Sequence, residues 1–199
     1  VDNIDTYSTR QGVYGASYPF SPRYSVRYMQ DAPTRYTLYS SIFGGPLILM
    51  HRLTEWTDGQ MEQTRRAIAL YKRLRVLVRG AKIIHLLPPR NNIPGGGWGW
   101  DAIQAVDQGA AQSVVMVYRA RGDEGEKRLY PRGLQPDARY RVRLSDEPRG
   151  KEARVMTGAE LAADGVAVAL DEFGAEILFI DLAESALTGG ARCAWSKES

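Results

Sequence analysis

Apolar side chains recur at three- and four-residue steps through Met61, Thr64, Ile68, Tyr71, Leu74 and Val78, while Arg65, Arg66, Lys72 and Arg73 fall mostly on other faces. That spacing predicts an amphipathic helix over residues 60–79. Thr57 with Gln60 three positions later fits a capping box at its start, and Gly80 fits a C-terminal cap. Before this helix the pattern switches back and forth. Residues 6–14 predict a short polar helix, 24–30 a strand, 34–43 a helix and 46–50 a buried apolar strand. Strand followed by helix, twice over, points to βα units of a parallel sheet.

Beyond Gly80 the helical period disappears. Residues 83–87, 112–119, 139–145, 152–156, 166–170 and 176–181 predict strands. Turn residues separate them, at Pro88-Pro89, Gly95-Gly96-Gly97, Gly122-Asp123, Glu147-Pro148 and Asp164-Gly165. Tyr140, Val142 and Leu144 alternate with Arg139, Arg141 and Arg143, as a strand with one buried and one wet face requires. Short strands spaced by turns indicate an antiparallel β-sandwich or a similar all-β module. The expected fold is therefore α/β over residues 1–80 followed by all-β over 81–199.

Length and composition change this picture little. At 199 residues, with 44% hydrophobic and 25% charged positions, the chain can bury a sizeable core. The 26 basic residues nearly cancel 23 acidic ones for a net charge of +3, and no Lys/Arg block stands out, which argues against nucleic acid as a partner. Cys193 is the single cysteine, and His51 and His85 are the only histidines, so an intrachain disulfide, a multi-cysteine zinc site and a His-rich metal centre are excluded. No apolar run approaches the ~20 residues of a membrane helix. The chain opens at Val1-Asp2-Asn3-Ile4-Asp5 directly into structured-looking sequence, and is expected to be the later part of something larger.

Several residues are candidates for chemistry. Asp5 can cap the helix that follows or support Asp2 through a hydrogen bond, and capping is the expectation. Asp31 follows a predicted strand, where barrels place catalytic groups, but Asp31-Ala32-Pro33 reads rather as a turn opening the next helix. Trp98 and Trp100, beside Asp101 in a glycine-rich stretch, can stack on sugar faces or anchor a loop. Seven of the eleven tyrosines lie between Tyr7 and Tyr39, where they can line a cleft or pack between two layers. His51 and His85 read as satisfied core histidines, and Cys193 lacks the His neighbour of a nucleophile.

The order of motifs resembles glycoside hydrolase family 36, the melibiase-type α-galactosidases and α-N-acetylgalactosaminidases. Carrying residues in the later half are Tyr71-Lys72-Arg73-Leu74-Arg75, His85-Leu86-Leu87-Pro88, Ser113 to Arg119, Gly133 to Tyr140, Thr157-Gly158-Ala159-Glu160-Leu161 and Ala175-Glu176-Ile177-Leu178. In the earlier half, Val1-Asp2-Asn3-Ile4-Asp5 is similar to the family's Ser-Asp-Asn-Thr-Asp, Tyr14-Gly15-Ala16-Ser17-Tyr18-Pro19 to its Tyr-Gly-Thr-Ser and Tyr-Pro, and Phe43-Gly44-Gly45 to its Phe-Gly segment. The resemblance implies the last units of a (β/α)8 barrel over residues 1–80, then a C-terminal β-sandwich over 81–199. It implies Asp2 as acid/base catalyst of a retaining mechanism on α-galactosides, with Trp98 and Trp100 as substrate-binding candidates. No cofactor or metal is implied. Expected partners are a glycoside or oligosaccharide substrate and a second copy or the missing N-terminal part, with no membrane. The family's Gly-Ala-His-Val-Ser stretch is not matched around Tyr24 to Gln30, and its Lys-Trp-Asp nucleophile motif is absent. Alone, the chain should not hydrolyse glycosides, because such chemistry needs two carboxyl groups. A non-catalytic β-sandwich module binding carbohydrate or a partner is the alternative.

Overall fold

The computed structural model describes residues 5–90, 97–145 and 154–183. The first part holds α1 (Thr6–Ala16), β1 (Arg27–Met29), α2 (Arg35–Ser41), β2 (Leu47–Leu49) and α3 (Asp58–Gly80). β1 and β2 pair in parallel, with Tyr28 opposite Ile48, and α2 is the crossover between them. The alternating pattern of the sequence is thus observed as a βαβα run. α2 is capped by Thr34 and α3 by Thr57, whose hydroxyl accepts from the Gln60 amide in the expected capping box. Gly80 does not act as a left-handed cap. It is the last helical residue, and Ala81 continues in extended backbone straight into the next strand.

The second part holds β3 (Lys82–Leu87), β4 (Trp100–Val106), β5 (Gln112–Arg119), β6 (Glu126–Leu129), β7 (Arg139–Leu144), β8 (Arg154–Thr157), α4 (Gly158–Ala163), β9 (Val166–Ala169) and β10 (Gly174–Leu182). Six strands form one antiparallel sheet in the order β3-β4-β5-β10-β7-β8, and β6 pairs with β9 in a separate ribbon. The region after Gly80 is therefore a β-rich antiparallel domain, as the loss of helical period predicts. The boundaries shift in places. β8 runs one residue further than the pattern suggests, to Thr157, the first two positions of the expected strand lying outside the described residues, and β4, β6 and α4 appear where no element was expected.

Both faces of the large sheet are covered. On one face, Ile103, Val114, Met116, Ile177 and Phe179 pack against Val13, Tyr36, Phe43, Leu74 and Val78 from the three earlier helices and their loops. On the other, Val115, Val117, Leu178 and Ile180 meet Leu129, Val166 and Val168 of the β6–β9 ribbon and Leu161 of α4. Neighbouring residues of β5 and β10 belong to opposite cores, which is why those strands read as continuous apolar runs.

Candidate functional site

α1 begins at Asp5, whose carboxylate accepts hydrogen bonds from the Ser8 amide at 2.8 Å and the Ser8 hydroxyl at 2.9 Å. Asp5 is an N-cap, as expected. Asp2 lies outside the described residues. Asp31 does not cap α2; Thr34 takes that position. Instead Asp31 Oδ2 accepts from the Thr6 amide at 3.0 Å and from the Thr6 hydroxyl. The end of β1 is thereby tied to the start of α1. His51 follows β2, and because β1 and β2 run in parallel, Asp31 and His51 leave the same end of the pair. Trp56 donates its indole N–H to His51 Nδ1 at 2.8 Å. That bond leaves the neutral ring's proton on Nε2.

α1 is anchored from a second direction. Arg10, 4% exposed, donates from Nε to Asp101 Oδ1 at 3.0 Å and from Nη2 to Asp101 Oδ2 at 2.9 Å. Its Nη1 donates to Ser40 at 2.9 Å and its Nη2 to the Tyr36 hydroxyl at 2.7 Å. The guanidinium also lies over the rings of Tyr7, Tyr36 and Tyr118 at 5.0, 4.6 and 4.5 Å. Burial disfavours the Arg10 cation, but the charge and hydrogen bonds of Asp101 together with Tyr36 and Tyr118 more than offset it and hold Arg10 protonated. One side chain thus joins α1, α2 and β4. Two of the early tyrosines, Tyr7 and Tyr36, serve this junction; Tyr14 is buried against His85, whereas Tyr18 and Tyr24 are exposed.

A second buried cation, Arg27 on β1, has no carboxylate partner among the described residues. It donates to the Phe43 carbonyl at 3.2 Å, its Nε has no partner, and burial lowers its pKa to about 10. No length or composition argument singles out Arg10, Asp101 or Arg27. The available signal is a lone charge within an apolar run, which Asp101 shows and Arg10 does not.

The two tryptophans differ. Trp98 is 38% exposed, its indole lying on Gly122, where a Cβ would come within 2.3 Å of the ring. Trp100 is 5% exposed and donates its indole N–H to the Glu124 carbonyl at 2.9 Å. A cavity of about 390 Å³ opens beside it, lined by Arg90, Trp100, Asp123, Glu124, Glu126 and Lys127. Gly97, at the edge of the glycine-rich loop, packs on the ring of Tyr7, so this loop adjoins the start of α1. His85 contacts Ser17 Oγ at 2.8 Å and stacks on Tyr18 with centroids 3.7 Å apart. Among the described residues, no group of three His, Cys, Asp or Glu side chains is placed to hold a metal. Three of the described carboxylates have structural partners: Asp5 and Asp31 serve α1, and Asp101 serves Arg10.

Residues 100–180 match the model of the glycosyl hydrolase family 36 C-terminal domain. No curated protein sequence matches the chain significantly. Among solved structures, the family 36 α-galactosidase AgaA of Geobacillus stearothermophilus is similar over 92% of this chain and 25% of its own, at 19% identity and a TM-score of 0.74. A substituted form of that enzyme in complex with raffinose gives a TM-score of 0.73. The α-galactosidase of Lactobacillus brevis is similar over 96% of this chain and 26% of its own, at 18% identity and a TM-score of 0.73. At these identities the likeness is one of fold. The chain spans about a quarter of the length of these relatives.

Proposed function

We propose, on the premise that this chain carries a family 36 C-terminal domain, that it is the C-terminal part of a retaining α-galactosidase. Residues 1–80 would contribute the last βα units of a (β/α)8 barrel and residues 81–199 the domain packed against it. The parallel β1–α2–β2–α3 run supports the barrel reading, since barrel strands are parallel and their C-terminal ends carry the site. Asp2 would be the general acid/base, three residues before the Asp5 cap in the sequence. The attacking carboxylate would come from another part of the protein, about 5–5.5 Å from Asp2. The observation that carries this reading is the family match at residues 100–180 on a domain that grips α1 through Arg10 and Asp101.

In this scheme Asp2 protonates the leaving glycosidic oxygen, then removes a proton from the water that cleaves the glycosyl-enzyme. The exposed edges of the β1–β2 pair favour association with the rest of the protein or a second copy. The test is hydrolysis of raffinose and nitrophenyl α-galactoside by the longer protein containing this chain. Asp2→Asn should lower turnover by about 10²–10⁴-fold, and the 199-residue chain should be inactive. Unchanged raffinose turnover in Asp2→Asn would overturn the assignment.

The exposure of Trp98 supports a second reading, a non-catalytic carbohydrate-binding module in which Trp98 offers a stacking face and Trp100 holds the loop from beneath. Calorimetric titration of the chain with raffinose separates the two. Binding lost in Trp98→Ala and indifferent to Asp2→Asn supports the module.

A further inference from the structure

The end of the β1–β2 pair opposite Asp31 and His51 carries a second concave surface. A cavity of about 740 Å³ lies there between α3 and the loops that enter the two strands. Its charged lining is Arg23, Arg75 and Arg79, and no carboxylate lines it. Three guanidinium groups lining one cavity carry like charge and repel one another. An anion removes that repulsion.

The walls are held in place rather than left to drift. Gly44 is in the left-handed region at φ +115°, and a Cβ there would lie 2.6 Å from the Pro22 carbonyl oxygen. A Cβ on Gly45 would lie 2.3 Å from the Ser25 carbonyl oxygen and 2.7 Å from that of Arg23. Only glycines let the 22–25 turn press onto this floor. The Tyr71 hydroxyl donates to the Gly45 carbonyl at 3.1 Å, which fixes α3 against the same floor. Two of the guanidiniums rest on aromatic faces, Arg23 at 4.5 Å from the Tyr24 centroid and Arg75 at 5.6 Å from that of Tyr71. Their forks are thus pre-oriented, which reduces the ordering cost of binding.

The surrounding charge points the same way. Arg65 and Arg66, early in α3, are paired with Glu62, but from residue 63 to residue 80 the helix holds no acid at all. We propose that this cavity is a binding site for a phosphate-type oxyanion carrying more than one negative charge, either free or as the ester of a small molecule. Its volume is in the range of small-ligand sites. The site is separate from the proposed catalytic end and does not rest on the glycosidase reading.

The experiment is a titration of the 199-residue chain with inorganic phosphate, glucose 6-phosphate and neutral glucose, followed by calorimetry or amide chemical shifts. Both anions should bind, with affinity falling as salt rises, and glucose should not. Tighter binding of glucose 6-phosphate identifies an ester as the ligand; equal binding identifies the free ion. Arg75→Gln with Arg79→Gln should weaken binding by about tenfold or more, since charge-assisted guanidinium contacts are lost. These side chains are exposed, so the variant should fold, and its unchanged unfolding midpoint provides the control. Absence of anion binding, binding indifferent to the double variant, or equal binding of glucose would overturn the proposal.

Discussion

The two faces of the six-stranded sheet are closed by different physics. The helix-side face has a hydrocarbon core interrupted by a fully buried ion pair, with Arg10 and Asp101 joined to Tyr36 and Ser40. The ribbon-side face is closed mostly by apolar side chains from β4, β5, β7, β9, β10 and α4, and its buried polar contacts, at the Tyr140 hydroxyl and between the Gln104 amide and Ser113, are between uncharged groups. Hydrocarbon contact is non-directional and tolerates sliding. A bidentate guanidinium–carboxylate pair accepts one orientation. The helices are thus positioned by geometry, and the ribbon by area.

That contrast is breakable. The largest effect should come from Asp101→Ala, which strands a buried guanidinium and should destabilise the chain by about 3–5 kcal/mol in a urea titration. Replacing both partners, Arg10→Met with Asp101→Leu, should recover most of that loss. If the recovered protein also keeps α1 in place by amide exchange, directionality at this face is dispensable and the comparison fails. A smaller loss, about 1–3 kcal/mol, is expected for Tyr140→Phe, because the Ala110 carbonyl and the Gln135 amide both use that hydroxyl. The cost should appear in overall stability without loosening α1.

The smallest effect concerns pH. Burial holds the His85 imidazole below its usual pKa, against the opposing hydrogen bond that its ring donates to the Tyr14 carbonyl. As pH falls through ~6.5 the unfolded chain therefore takes up this proton before the folded one does. The His85 contribution is complete above that pH and declines below it, until the folded imidazole protonates in turn. Urea midpoints at pH 7.5 and 5.5 should differ by less in His85→Gln than in the parent chain. His85 packs on Ser17 and Tyr18, so the same experiment shows whether the helix-side face alone carries acid sensitivity.

Much of this architecture was legible in the sequence because its signals are local. The period of α3, the Thr57–Gln60 box and the alternation of β7 each need only a few neighbouring residues. β4 was not legible. Its seven residues are all buried, it shows no alternation, and it contains Asp101 and Gln104, which look like surface residues until their partners are known. β6 carries exposed Glu126, Lys127 and Arg128, and α4 is only six residues long, too short for a period to emerge. Arg10 and Asp101 are 91 positions apart, so nothing in either neighbourhood announces the pair. The tyrosine cluster shows the same limit: its density was visible, but its division between junction and surface depends on contacts with β4 and β5. Asp5 as a cap was readable because its partner, Ser8, is three residues away.

The double tether of α1 carries a further consequence. Thr6 and Asp31 hold its first turn to β1, and Arg10 holds its middle to β4, so α1 takes its placement from one strand 25 positions downstream and another 91 positions downstream. Grafting the early half onto a foreign sheet would leave that helix unmoored. The Asp5 cap would then lose its orientation without a single atom of its own having changed.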